Sequence, residues 1–206
     1  MLMIINGIYG GDDLRKKLDQ ELVYETALSF FAKYGYKKTT LDDIASALNM
    51  KNTAIYSYAS SKQALYHECI AYAINVWQEH VRQAVTGIED AEVKLLTAFD
   101  AAASFIEGSD VTRQLLKNDP TIFPMFPEID PIEEFNEWSV GFIRDIVKQG
   151  IEDGKFTSVD PDEAALVLFN LYKYFIIETY SKDGNPLDVK KLKNTISIIF
   201  MNGLLK

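Results

Sequence analysis

Residues 39–65, TTLDDIASALNMKNTAIYSYASSKQAL, decide the fold. Leu41, Ile44, Ala45 and Leu48 fall at i, i+3, i+4 and i+7, which makes one apolar stripe on a two-turn helix. Thr40 stands before the stripe and Asp43 three residues later, an N-cap with an acidic partner. Asn49 closes the helix, because Asn after Gly is the residue that best tolerates the left-handed backbone of a C-cap. A second short helix is expected over about 52–58, with Ile55, Tyr58 and Ala59 on one face. Ser60 and Gln63 read as a second capping box. They open a longer helix with apolar positions Leu65, Cys69, Ala73, Trp77 and Val81. Two short helices, a tight turn and a capped third helix make a helix-turn-helix, an arrangement that points to DNA.

Working outward, Leu22, Val23, Ala27, Phe30, Phe31 and Tyr34 form the apolar stripe of a first helix over about 13–34, ended by Gly35. The long helix should run over about 61–85 and break at Thr86 and Gly87. Every later segment has helical period. Helices are expected over 91–107, 110–117, 132–153, 160–181 and from Asn185 to the end. Pro161 and Pro186 take first-turn positions, where a missing N–H costs nothing. Pro120, Pro124, Pro127 and Pro131 mark an intervening loop. No period-two strand pattern is present, so the fold class is all-α, with about nine helices.

Residues 22–65 resemble the N-terminal domain of the tetracycline-repressor (TetR) family of bacterial transcription regulators. Phe31, Gly35, Tyr36, Thr39 and Thr40 match the family's first-helix ending. Ile55, Tyr56, Tyr58, Ser61 and Lys62 match its recognition helix and the Ser-Lys pair that follows. Asn49 replaces the usual turn Gly, Ala59 a usual Phe, and Lys51-Asn52-Thr53 the usual Ser-Lys-Gly. The resemblance implies a helix-turn-helix domain over 13–67 and an effector-binding and dimerisation domain over 68–206. It implies DNA contacts from Thr40, Lys51, Asn52, Thr53, Tyr56, Ser57, Tyr58 and Lys62, with Lys37 and Lys38 adding charge. Lys62 lies in the first turn of its helix, where a cation opposes the helix dipole unless a phosphate is held there too. Asn52 has the chemistry to read adenine, or alternatively to cap its own helix. A symmetric dimer on a palindromic double-stranded operator follows, because such readers bind paired half-sites.

In the C-terminal part, residues 164–177, AALVLFNLYKYFII, are apolar nearly all round, so the helix has more than one face to bury. Leu168 and Phe175 on it, with Leu192, Ile196, Ile199 and Phe200 on the last helix, are the expected dimer contacts in a four-helix bundle across a two-fold axis. Phe99, Phe105, Phe126, Phe135, Trp138, Phe142, Phe169 and Tyr172 read first as core aromatics. The resemblance makes them candidates to line a cavity for a small-molecule effector that releases the operator. Asp100, Glu107, Glu137 and Glu178 could face a cationic ligand, but a place on the surface is the default for each.

Charge tempers the DNA reading and also locates it. The chain carries −9, but residues 1–67 hold eight Lys/Arg against seven Asp/Glu, a net +1. The remainder holds thirteen against twenty-three, a net −10, and need not touch DNA. A field of +1 leaves affinity to a few well-placed contacts and to the pairing of two domains. A helical scaffold protein without specific DNA binding is the alternative reading. No enzyme, metal or cofactor is expected. His67 and His80 are thirteen residues apart, whereas metal-binding pairs on a helix need a spacing near four, and no phosphate loop or Cys/His cluster is present. The lone Cys69 falls on an apolar face, where a small buried residue is expected. No apolar run reaches the roughly 18 residues of a membrane span, and a cytoplasmic location is expected.

Overall fold

The computed structural model describes residues 11–119, 122, 133–181 and 189–205. Nine α-helices lie among them: α1 Gly11–Lys38, α2 Leu41–Ala47, α3 Asn52–Ile55, α4 Lys62–Ala84, α5 Ala91–Glu107, α6 Asp110–Asn118, α7 Glu133–Glu152, α8 Pro161–Ile176 and α9 Val189–Leu204. A single π-helical turn, Ile177–Ser181, prolongs α8. The one pairing of extended backbone among the described residues is an isolated antiparallel bridge between Phe156 and Leu205. The apolar N-terminal residues 1–10 and most of the proline-marked loop fall outside the described residues.

The chain divides into two compact units, Met1–Val76 and Trp77–Lys206, and the division falls within α4. In the first unit α1 buries Val23, Tyr24, Ala27, Leu28, Phe31 and Ala32, against Ile44 and Ala45 of α2, Ile55 of α3 and Leu65 and Cys69 of α4. The stripe on α1 is rotated from the expected one. Leu22 and Tyr34 are about half exposed, and Tyr24 and Leu28 take the inner places. Gly35 leaves helical geometry with φ +78°, and a final turn continues to Lys38. Thr40 and Asp43 form the expected capping box, and Asn49 adopts φ +53°. The second cap differs from expectation by one residue. Ser61, not Ser60, accepts the backbone N–H of Ala64, and alanine at that place has no acceptor to complete a box. The second helix also ends sooner than expected. Its regular part is Asn52–Ile55, after which the N–H groups of Ser57 and Tyr58 donate to carbonyls three residues back.

The second unit packs α7 against α8 and α5, around Leu95, Ile143, Ile146, Val147, Phe156, Ala165, Leu168, Phe169 and Leu204. Caps set its helix starts. The Asp90, Ser109 and Asp160 side chains accept from the first-turn N–H groups of α5, α6 and α8. Phe156 is fully buried beneath Gly150, where a β-carbon would lie 2.2 Å from the ring. Gly150→Ala should therefore cost about 2 kcal/mol through overpacking. In a chain of this size that lowers Tm by about 4–8 °C. Calorimetry checks it, and an unchanged Tm would show that the Phe156 ring is free to yield.

Two expected dimer contacts do not face outward. Leu168 and Phe175 are 4% and 2% exposed, so they belong to the protomer's own core. Leu166, Val167, Leu171 and Tyr174 form the exposed face of α8 instead, with Ile198 and Ile199 exposed on α9, which packs on α8. The side chains of Leu192, Ile196 and Phe200 lie outside the described residues.

Candidate nucleic-acid interface and cavity

Ile55 is the hinge of the first site. It is fully buried, and it fixes which side of the short α3 segment faces out. Lys51, Asn52, Thr53, Tyr56 and Ser57 are exposed, and Tyr58 is half-buried. Tyr56 presents half its surface. The N-cap position falls on Lys51, which makes no side-chain cap bond, so Asn52 stands inside the helix and does not cap it. Ser57 Oγ donates to the Ala54 carbonyl at 2.7 Å. Thr40 is exposed, but its hydroxyl donates to Asp43 Oδ2 at 2.6 Å and accepts from the Asp43 N–H at 3.1 Å.

Lys62 has a different environment from that expected of it. Its Nζ donates to the carbonyls of Tyr36 at 2.9 Å, Thr39 at 3.1 Å and Lys37 at 3.5 Å. It also lies 4.5 Å from the centre of the Tyr36 ring. The ammonium is unfavourable at the start of its own helix but sits against the carbonyl end of α1, where a cation is favourable. Tyr36 in turn contacts Phe31 and Tyr66, with ring centres 6.0 and 5.1 Å away. Thr39, buried, donates its hydroxyl to the Gly35 and Phe30 carbonyls. Sequence reasoning missed this joint, because it links residues 23 to 30 apart in the chain. Cys69 is buried, and burial pushes its thiol up to about 12, with Glu68 adding to the effect; it stays protonated and unreactive.

A second candidate site lies inside the second unit. Phe135, Trp138 and Phe142 of α7, Phe99 of α5 and Phe169 and Tyr172 of α8 line one cavity of about 50 Å³. Trp77, Gln78 and Val81 of α4, Ala98 and Ala102 of α5 and Ser139 and Ile143 of α7 also line it; none of these is placed at a cavity by the sequence. Phe105 is not part of it and packs on His80 instead. Phe126 lies outside the described residues. Trp77 stacks on Phe135, Phe99 on Tyr172 and Trp138 on Phe142, with ring centres 5.1–5.6 Å apart. Trp77 Nε1 donates to the Ala102 carbonyl and Ser139 Oγ to the Phe135 carbonyl. The Tyr172 hydroxyl is buried with no hydrogen-bond partner among the described residues, which costs roughly 1–3 kcal/mol and calls for an explanation. Burial above all, then Tyr180 and Glu107, holds its phenol well above the ordinary tyrosine range, so it keeps its proton. The space exceeds what a water needs and is below the ~150 Å³ of a cavity known to admit benzene.

An exposed recognition segment held by a capped helix-turn-helix defines a DNA-binding regulator. Residues 23–69 match the bacterial regulatory proteins of the tetR family. YhgD of Bacillus subtilis, an HTH-type transcriptional regulator, is 23% identical over 185 residues, covering 90% of this chain and 96% of its own. The HTH-type transcriptional repressor KstR2 of Mycobacterium tuberculosis is 22% identical over 182 residues, covering 88% and 90%. The solved fatty acid degradation regulator FadR from Bacillus halodurans shares the fold with a TM-score of 0.72 at 17% identity, covering 89% of this chain and 98% of that one. Residues 23–69 thus carry a tetR-family regulatory domain, and the relatives that match most of the chain are HTH-type transcriptional regulators. The relatives named here are regulators, not enzymes. No helix among the described residues is long and apolar enough to cross a membrane.

Proposed function

We propose that this regulator is a cytoplasmic homodimeric repressor that binds a palindromic operator and is released by a small molecule in the cavity of its second unit. The observation that carries the DNA reading is the exposed run Lys51, Asn52, Thr53, Tyr56 and Ser57 around a buried Ile55. In this reading those residues and Tyr58 touch the operator. Thr40 and Lys62 hold the frame, because their polar atoms already serve Asp43 and the end of α1. The domains of this reading are 13–67 for DNA and 68–206 for effector and partner. Half-sites one helical turn apart require two recognition segments ~34–36 Å apart. Trp77, Gln78 and Val81 of the cavity wall belong to α4, whose first turns belong to the DNA-binding unit. A ligand that moves this helix changes the spacing, and a coupling of ~1–3 kcal/mol is typical of such switches.

The test is fluorescence anisotropy of the protein on DNA from upstream of its own gene, across a salt series. Tyr56→Ala should weaken operator binding roughly tenfold or more, the size of a lost base contact. Its Tm should hold within about 2 °C, because an exposed side chain contributes little to stability. A drop of roughly six degrees would instead make Tyr56 a core residue, and undiminished affinity would remove it from the interface.

A further inference from the structure

We propose that the cavity takes an uncharged, mainly apolar molecule whose single acceptor oxygen, a carbonyl for preference, receives a hydrogen bond from the Tyr172 hydroxyl. This rests on the reading of the cavity as the effector site. Every lining side chain among the described residues is aliphatic, aromatic or neutral polar, so a carboxylate or an ammonium placed there would be desolvated with no charged group of that wall to meet it. Tyr172 is 8% exposed and lines the cavity, and its hydroxyl has no partner among the described residues. A phenol that keeps its proton is a donor in search of an acceptor. Of the other polar groups of the wall, Trp77 Nε1 donates to Ala102 and the Ser139 hydroxyl to Phe135, while the half-buried Gln78 adds a neutral amide. Flat apolar surface comes from the stacked pairs Trp77–Phe135 and Phe99–Tyr172. A ring larger than the present opening requires Trp138 and Phe142, half-buried and stacked on each other, to shift.

The chain has two tryptophans, Trp77 and Trp138, and both line the cavity, so intrinsic fluorescence reports on it directly. Cyclohexanone is titrated beside methylenecyclohexane, which replaces the carbonyl oxygen with a CH₂ of similar size, and beside cyclohexanecarboxylate and cyclohexylammonium. Calorimetric titration supplies the affinities. In the wild type the ketone should bind roughly three- to tenfold tighter than the alkene, the span of one neutral hydrogen bond. The charged analogues should not bind. In Tyr172→Phe the ketone's advantage should vanish while alkene affinity stays. That variant should fold, since it removes a hydroxyl that bonds nothing. Equal affinities of ketone and alkene in the wild type, tight binding of either charged analogue, or no saturable binding of any probe would each overturn the proposal. Operator binding is measured separately with the ketone present. Tyr172-dependent binding with no effect on DNA would leave this inference standing and defeat the effector reading.

Discussion

Ile199→Glu should convert the protein from dimer to monomer and, with no change near the DNA, collapse its operator affinity. Ile199 is 59% exposed in the protomer, and Ile198 on the same helix and Val167, Leu166 and Tyr174 on α8, which α9 packs against, are also open, so the protomer alone does not need them covered. Were this face wetted in solution, a glutamate there would change stability by no more than about 0.5 kcal/mol. At a two-fold axis it places an unpaired charge opposite its own copy in a buried interface, at a cost of several kcal/mol. The recognition segment would then act alone on one half-site and lose the effective concentration supplied by its partner, a loss of about 10²–10⁴ in affinity. Sedimentation of wild type and variant at micromolar concentration checks the first step, and anisotropy on the operator the second. Val167→Glu, on the other helix of the same face, should act alike. A wild type that sediments as a monomer, or a variant that remains dimeric, removes this interface and the paired half-sites with it.

Lys62→Met should cost stability and operator affinity together while leaving the salt dependence of binding unchanged. The ammonium donates to three carbonyls at the junction of α1 and α2 and lies over Tyr36. Methionine keeps the length of the side chain and removes the donors. Discounting charge-assisted bonds for a half-buried site, the loss is about 1–2 kcal/mol, or roughly 2–8 °C in Tm. The recognition segment then loses its bearing on α1, and affinity falls. A direct phosphate contact gives a different pattern: little change in Tm, and a salt slope lower by about one unit. Thermal melts and a salt titration of the same variant therefore separate a residue that positions the interface from one that touches DNA.

The helices were legible wherever local chemistry fixes them. Thr40 and Asp43, Asn49, Asp160 and Pro161 each act on the few residues beside them, and a pattern of that range is complete in the sequence. The stripe on α1 was less legible, because several apolar residues lie on each side of that helix and only its neighbours choose between Leu22 and Leu28. The cap of α4 moved by one residue for a similar reason. Ser60 and Ser61 are equally good caps, and the turn leading in from α3 selects the second.

The candidate sites divide in the same way. Composition and period marked α8 as too apolar for one buried face. They could not tell Leu168 and Phe175, spent on the core, from Val167 and Tyr174, left in the open, because that depends on which side α7 covers. The aromatics of the second unit were visible as a group. Their division into cavity wall and packing, with Phe105 going to His80 and Trp77 joining the wall, depends on helices distant in sequence. The sequence by itself determined an all-α chain with a helix-turn-helix near its start, since caps, turns and helical period are short-range effects. What lies across space from a side chain settled that Lys62 spends its charge on the end of α1, and that Tyr172, in the wall of an apolar cavity, keeps a buried hydroxyl with no partner among the described residues. No pattern along the chain encodes that distance.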